Sequence, residues 1–129
     1  MEAWEGRLRD AQGFWDLATM VADDLRYSKQ AVSSAVLAAI AANDAICLYL
    51  GYGKPAGDSH TEAAQTLQEA CKGTRHEEEA ARRAEQLTQV LRHKAAAQYL
   101  AAPLSAEVAA RTLKQAERFL KWAESVLEE

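Results

Sequence analysis

The stretch AVSSAVLAAIAANDAICLYLG, residues 31 to 51, constrains this chain more than any other part of it. Sixteen of its first twenty residues are apolar and none is lysine, arginine or glutamate, so its length suits either a bilayer span or the innermost rod of a helical core. The Asn43-Asp44 pair decides between the two. An aspartate near the centre of a spanning helix costs on the order of 2.5–3.5 kcal/mol, and alanine returns little of that. No basic cluster or aromatic belt flanks the run. Its apolar residues fall instead on two helical faces, Val32, Val36, Ala39, Ile46 and Leu50 on one and Leu37, Ile40, Cys47 and Leu48 on the other. A helix that is apolar nearly all round is buried by other helices, and alanines let those neighbours come close. The expectation is therefore no membrane span but a central helix.

The rest of the chain supplies the helices that would surround it. Trp4, Leu8, Ala11, Trp15, Ala18, Ala22 and Leu25 recur at alternating spacings of four and three, which predicts a first helix over roughly 3 to 25. Ser28 is the expected N-cap of the second, which should end near Leu50 with Gly51 in the left-handed C′ conformation. YGKPAGD then forms a loop. Ser59 with Glu62, and Thr74 with Glu77, carry the capping-box spacing and predict helices from His60 and after Thr74. On the latter, Glu78 to Arg82 and Glu79 to Arg83 are ion pairs four apart, and Leu87, Val90 and Leu91 face inward. Pro103 closes this helix. Ser105 caps a last one, carried by Ala109, Leu113, Ala116, Leu120, Ala123 and Leu127. With only two prolines and six glycines among strong helix formers, the fold expected is all-α: an up-and-down bundle of about five helices in one domain, 1–129.

Asp44 follows Leu37 by seven residues and Ile40 by four, so its carboxylate lies on an apolar face and needs a counter-ion. Lys94 holds the equivalent place on the fourth helix, seven after Leu87 and four after Val90, and is the predicted partner, with Arg92 or His60 as alternatives. The net charge of −4 disfavours a protein that coats duplex DNA, although a local basic patch can still meet RNA or a nucleotide. Cys47 and Cys71 sit in apolar helical surroundings without metal-ligand spacing, as buried thiols of a reducing cytosol do. The N-terminal segment mixes both charge signs and lacks the apolar core of a signal peptide, which makes a cytoplasmic location the expectation.

GYGKPAG has the glycines and lysine of a phosphate loop but not their arrangement, since proline follows Lys54 and a helix, not a strand, precedes Gly51. It reads as a turn. His60, His76 and His93 are too scattered for a local metal site, and no Glu-x-x-His pair occurs, so neither metal nor cofactor is expected. His60 opens a helix beside the glycine loop and is the most interesting of the three. The densest basic run is Arg92-His93-Lys94, with Tyr99 one double turn after Arg92 and alanines between them. Such a face can stack and neutralise a nucleotide or dock against another helix. The candidate binding residues are therefore Asp44, His60, Arg92, His93, Lys94 and Tyr99, with no catalytic residue assigned.

The order of these pieces resembles the HEPN domain, most closely small stand-alone actinobacterial members with an Ala-Ala-x-Asp-Ala helix, an Asp-x-His loop and a Lys-x-x-Ala-x-Tyr segment. Here these are residues 41–45, 58–60 and 94–99. The resemblance covers 28–128 and leaves 1–27 as an added N-terminal helix. It implies a helical bundle that commonly dimerises, in a family divided between RNA-cleaving toxins and non-catalytic binding modules. The nuclease members carry an arginine four to six residues before a histidine, and no histidine here has one. The resemblance thus implies a non-catalytic module, dimeric, that engages a partner protein or a nucleotide or RNA ligand. The alternative is an atypical metal-independent ribonuclease using Arg92 or His93, or the toxin component of a toxin–antitoxin pair.

Overall fold

The computed structural model describes residues 1–52, 60–99 and 104–128, and every regular element among them is helical. In chain order these are α1 (Ala3–Val21), a 3-10 turn (Leu25–Tyr27), α2 (Ser28–Tyr49), α3 (His60–Cys71), α4 (Glu77–Leu91), the short α5 (Lys94–Tyr99) and α6 (Ala106–Leu127). The all-α bundle expected from the sequence is the fold.

α2 is its axis. It touches each of the other five helices, and fifteen of its 22 residues are buried, with Gln30, Ser33, Leu37 and Ile40 forming a partly exposed stripe. Seven of the buried residues are alanines, whose methyl groups admit neighbouring backbones on several sides at once. Leu25–Tyr49 is long and apolar enough to cross a membrane, yet 72% of its apolar window is buried inside the bundle. The helix ends as the sequence predicts. Gly51 takes φ +78°, its N–H donates to the Leu48 carbonyl (3.1 Å) and the Tyr52 N–H donates to that of Cys47 (2.9 Å), the paired bonds of a Schellman cap.

α1 packs along α2 more extensively than any other two elements pack together, in antiparallel register: Arg7 meets Asp44, and Trp4 meets Tyr49 edge to face at 5.1 Å. The N-terminal helix is thus part of the core, to which Ala11 and Ala18 belong, and not an appendage. α6 lies against α2, α4 and the far side of α1. Gln115 donates to Gln89 at 2.7 Å, Arg83 sits 5.8 Å over the Trp122 ring and Gln12 donates to Glu124 at 2.9 Å, so α6 is antiparallel to both α4 and α1. Phe119, Ile46, Leu67, Leu87 and Val90 are fully buried where these helices converge, each stabilising the bundle by roughly 1.5–3 kcal/mol. Ser105 caps α6 as expected, accepting from the Val108 N–H at 3.1 Å.

Four local expectations are corrected. α1 stops at Val21 and not near 25; Asp24 then caps the 3-10 turn by accepting from the Arg26 N–H (3.0 Å), and α2 starts at Ser28 itself with no side-chain cap. Thr74 and Glu77 close a turn before α4 and do not cap it: the His76 N–H donates to Thr74 Oγ1 (3.1 Å) and the Gly73 N–H to Glu77 Oε1 (2.7 Å), so α4 begins at Glu77. The fourth helix breaks at Arg92-His93, and α5 leaves in a new direction. Arg83 pairs with Glu79 at 2.9 Å as predicted, but Arg82 turns to Glu79 as well and not to Glu78. Ser59 lies outside the described residues, as do Lys54 and Pro55 of the glycine loop.

Candidate functional site

Asp44, the buried acid of α2, lines none of the clefts found among the described residues. Asp44 accepts from Arg7 Nη2 at 2.9 Å, and the same guanidinium reaches Asp10 at 2.8 Å. Burial opposes the charge on Arg7, but its bonds to Asp44 and Asp10 outweigh that and hold its pKa above the ordinary value. The predicted partners Lys94 and Arg92 form no ion pair with Asp44: α5 meets α2 at Ser33, where Gln98 donates to the serine oxygen at 3.4 Å, about three turns from Asp44. The break at 92–93 sends α5 there. Next to Asp44, Asn43 donates to the Ala63 carbonyl of α3 at 3.4 Å, while its sealed Oδ1 has no partner among the described residues. Cys47 and Cys71 are free and buried; burial, then the Asp44 charge and Cys71, pushes the Cys47 thiol up to about 12, and burial pushes Cys71 up to about 11. Neither is a thiolate nucleophile at neutral pH.

The basic run does form a cluster. Gln89 of α4 opposes Gln115 of α6, so one turn further along the antiparallel pair His93 comes beside Arg111. Burial, then the charges of Arg92 and Arg111, keeps the His93 pKa below its usual value and the imidazole neutral at pH 7. Arg111 also donates to Glu107 at 3.1 Å. Arg92 and Arg111 thus lie near His93, Arg111 from a distant part of the sequence that no local pattern connects, while Lys94 is half-buried. The side chains of His60 and Tyr99 lie outside the described residues. Among the described residues no three His, Cys, Asp or Glu side chains group to hold a metal ion.

A second location stands out that spacing alone does not reveal. Where α1 stops at Val21 the helical phase is lost, and the chain gathers large apolar side chains in solvent: Leu17 is 50% exposed, Met20 79%, Leu25 68% and Tyr27 41%. Leu17 and Tyr27 line a cavity of about 560 Å³ between the end of α1, the 3-10 turn, the first turns of α2, and α5. Leu17, Val21, Tyr27 and Ala97 form its apolar walls. Its polar side is a ridge of α2, Lys29 and Gln30 followed one turn later by Ser33 and Ser34, with Gln98 opposite. A volume of this size is in the range of small-molecule sites. Two smaller clefts, about 360 and 290 Å³, lie along the α1–α6 seam and share Trp15 and Glu117.

The chain matches no protein-family model, and no curated protein matches it in sequence.

Proposed function

We propose that this chain is a non-catalytic helical binding module whose ligand places an apolar body in the corner cavity at the end of α1. One observation carries the reading: two of the exposed large hydrophobic side chains, Leu17 and Tyr27, line a concavity of about 560 Å³, and exposed Met20 and Leu25 belong to the same stretch of chain. HEPN-like kinship belongs to the same proposal and draws support from the central, nearly all-buried α2. So does cytoplasmic operation, which two free buried thiols suit. Pairing of two copies is placed at the α1–α6 seam, where Asp16, Glu117 and Glu124 alternate with Lys114 and Lys121 and a twofold-related copy can match opposite charges. The binding reading is tested with the neutral fluorescent probe N-phenyl-1-naphthylamine. One saturable site per chain is expected, abolished by Ser33→Trp, which fills the cavity. Unsaturable binding, or saturable binding that survives Ser33→Trp, overturns it.

A second reading, the atypical metal-independent ribonuclease or toxin component, has one observation in its favour: burial, then the nearby charges of Arg92 and Arg111, keeps His93 below its ordinary pKa, as a base acting on a ribose 2′-hydroxyl near a phosphate would need. Incubation with total RNA decides it. Cleavage that disappears in His93→Ala but persists in Ser33→Trp would replace the binding reading.

A further inference from the structure

The bonding capacity left open on the wall of the corner cavity narrows the chemistry of what it holds, given the binding role just proposed. Ser34 is only 9% exposed, yet its hydroxyl makes no hydrogen bond among the described residues. Its oxygen is not sealed in as Asn43 Oδ1 is, and the residue lines the cavity, so the surface left to it opens there. The neighbouring Ser33 differs, because it accepts from Gln98 Nε2 at 3.4 Å. A mostly buried hydroxyl that opens into a cavity without a protein partner marks a place where a ligand atom completes the bonding. The charges nearby are already engaged. Arg26 pairs with Asp24 at 2.8 Å, Lys29 has an interaction within the chain, and among the described residues no aspartate or glutamate lines the cavity. An ion of either sign would leave water without a counter-ion set aside for it, a cost that a neutral group does not carry.

We infer that the cavity binds an uncharged amphiphile, an aromatic or short aliphatic alcohol or primary amide. Its polar end bonds with Ser34 Oγ, which can donate or accept, and its body lies against Leu17, Val21 and Tyr27. Cavities of this size hold such molecules by burying the apolar body and fixing it with few polar contacts.

Three ligands with one aromatic body test this on the full chain, each read by displacement of bound N-phenyl-1-naphthylamine: 2-naphthylmethanol, 2-ethylnaphthalene, in which a methyl replaces the hydroxyl, and the anion 2-naphthoate. The alcohol should bind more tightly than the anion. Ser34→Ala should weaken the alcohol by about five-fold, the worth of one neutral hydrogen bond, and leave 2-ethylnaphthalene unchanged. The same variant should be no less stable to heat than the wild type, since the hydroxyl has no bond within the chain to lose. If the alcohol loses nothing in Ser34→Ala, if both neutral compounds weaken equally, if the anion binds as tightly as the alcohol, or if the variant's thermal midpoint falls, the assignment is overturned while the binding corner stands. If the probe binds and none of the three displaces it, this inference alone falls; if the probe itself finds no saturable site, the proposed function falls with it.

Discussion

The two halves of α2 carry similar sequences and do opposite things. The C-terminal half is clamped: Asp44 holds Arg7, Tyr49 meets Trp4, Asn43 reaches α3, and a Schellman cap closes the end. The N-terminal half is also lined with alanine and valine, but one of its ridges faces a cavity, and there Lys29, Ser33 and Ser34 form part of the wall, Ser33 accepting from Gln98 at 3.4 Å. Both halves combine buried alanines with a few polar residues. What separates them is the neighbour: α1 covers the C-terminal half with an arginine and a tryptophan, then ends before it can cover the start of α2. A polar residue on an apolar helix therefore has no meaning until the partner surface is known. Paired across a helix interface, it fixes register; on a cavity wall, it offers a bond.

Disrupting the clamp should produce the largest effect. Arg7→Leu leaves the buried Asp44 charge without that guanidinium, which costs about 2–3 kcal/mol of unfolding free energy, below the range for a fully sealed pair because Arg7 is 33% exposed. Urea denaturation reads this as a lower midpoint with an unchanged slope; a loss under about 0.5 kcal/mol would mean the clamp is only surface decoration. Next comes added bulk, which distinguishes the halves directly. Ala42→Leu, at a fully buried position, should destabilise by about 1–3 kcal/mol through overpacking. Ser33→Leu, on the cavity ridge, should stay within about 0.5 kcal/mol. Equal costs at the two positions would erase the contrast.

Trp4→Ala removes the edge-to-face contact with Tyr49 and should cost about 1 kcal/mol from ring pairing beyond its area. The smallest effect concerns pH. His93 and His76 both have folded pKa values below 6.5, for burial first and then nearby arginine charge. In each case the unfolded chain binds the proton more readily. Their contribution is therefore fully present above about pH 6.5 and is lost as the pH falls below it. The thermal midpoint should decline on acidification from about pH 7 to 5.5, and His93→Gln should flatten the decline. An unaltered slope would mean that His93 is not pressed by Arg92 and Arg111.

Much of this fold is written locally. The all-round apolarity of α2, the glycine at 51 and the serine at 105 each specify their outcome within a few residues, because burial, left-handed φ and N-capping depend on short-range chemistry. The pairing of Asp44 with Arg7 was not legible for the opposite reason. Lys94 had the right spacing on its own helix, but an ion pair forms between helices, and the register of α1 against α2 places Arg7 there while the break at 92–93 carries Lys94 away. Arg111 escaped notice because only the α4–α6 register brings it to His93. The corner cavity escaped because it comes from a helix that ends: the stripe through Ala18, Ala22 and Leu25 continues in the sequence, but α1 does not continue with it.

Cys47 on α2 and Cys71 on α3 are fully buried with their acid dissociation pushed to about 12 and about 11. An alkylating reagent such as iodoacetamide can therefore modify them only during excursions in which these helices separate. The native chain thus carries two built-in clocks for its own breathing. The rate at which each sulfur is captured, followed by mass spectrometry at increasing reagent concentration, times the opening of the axial rod against its neighbour without any introduced label.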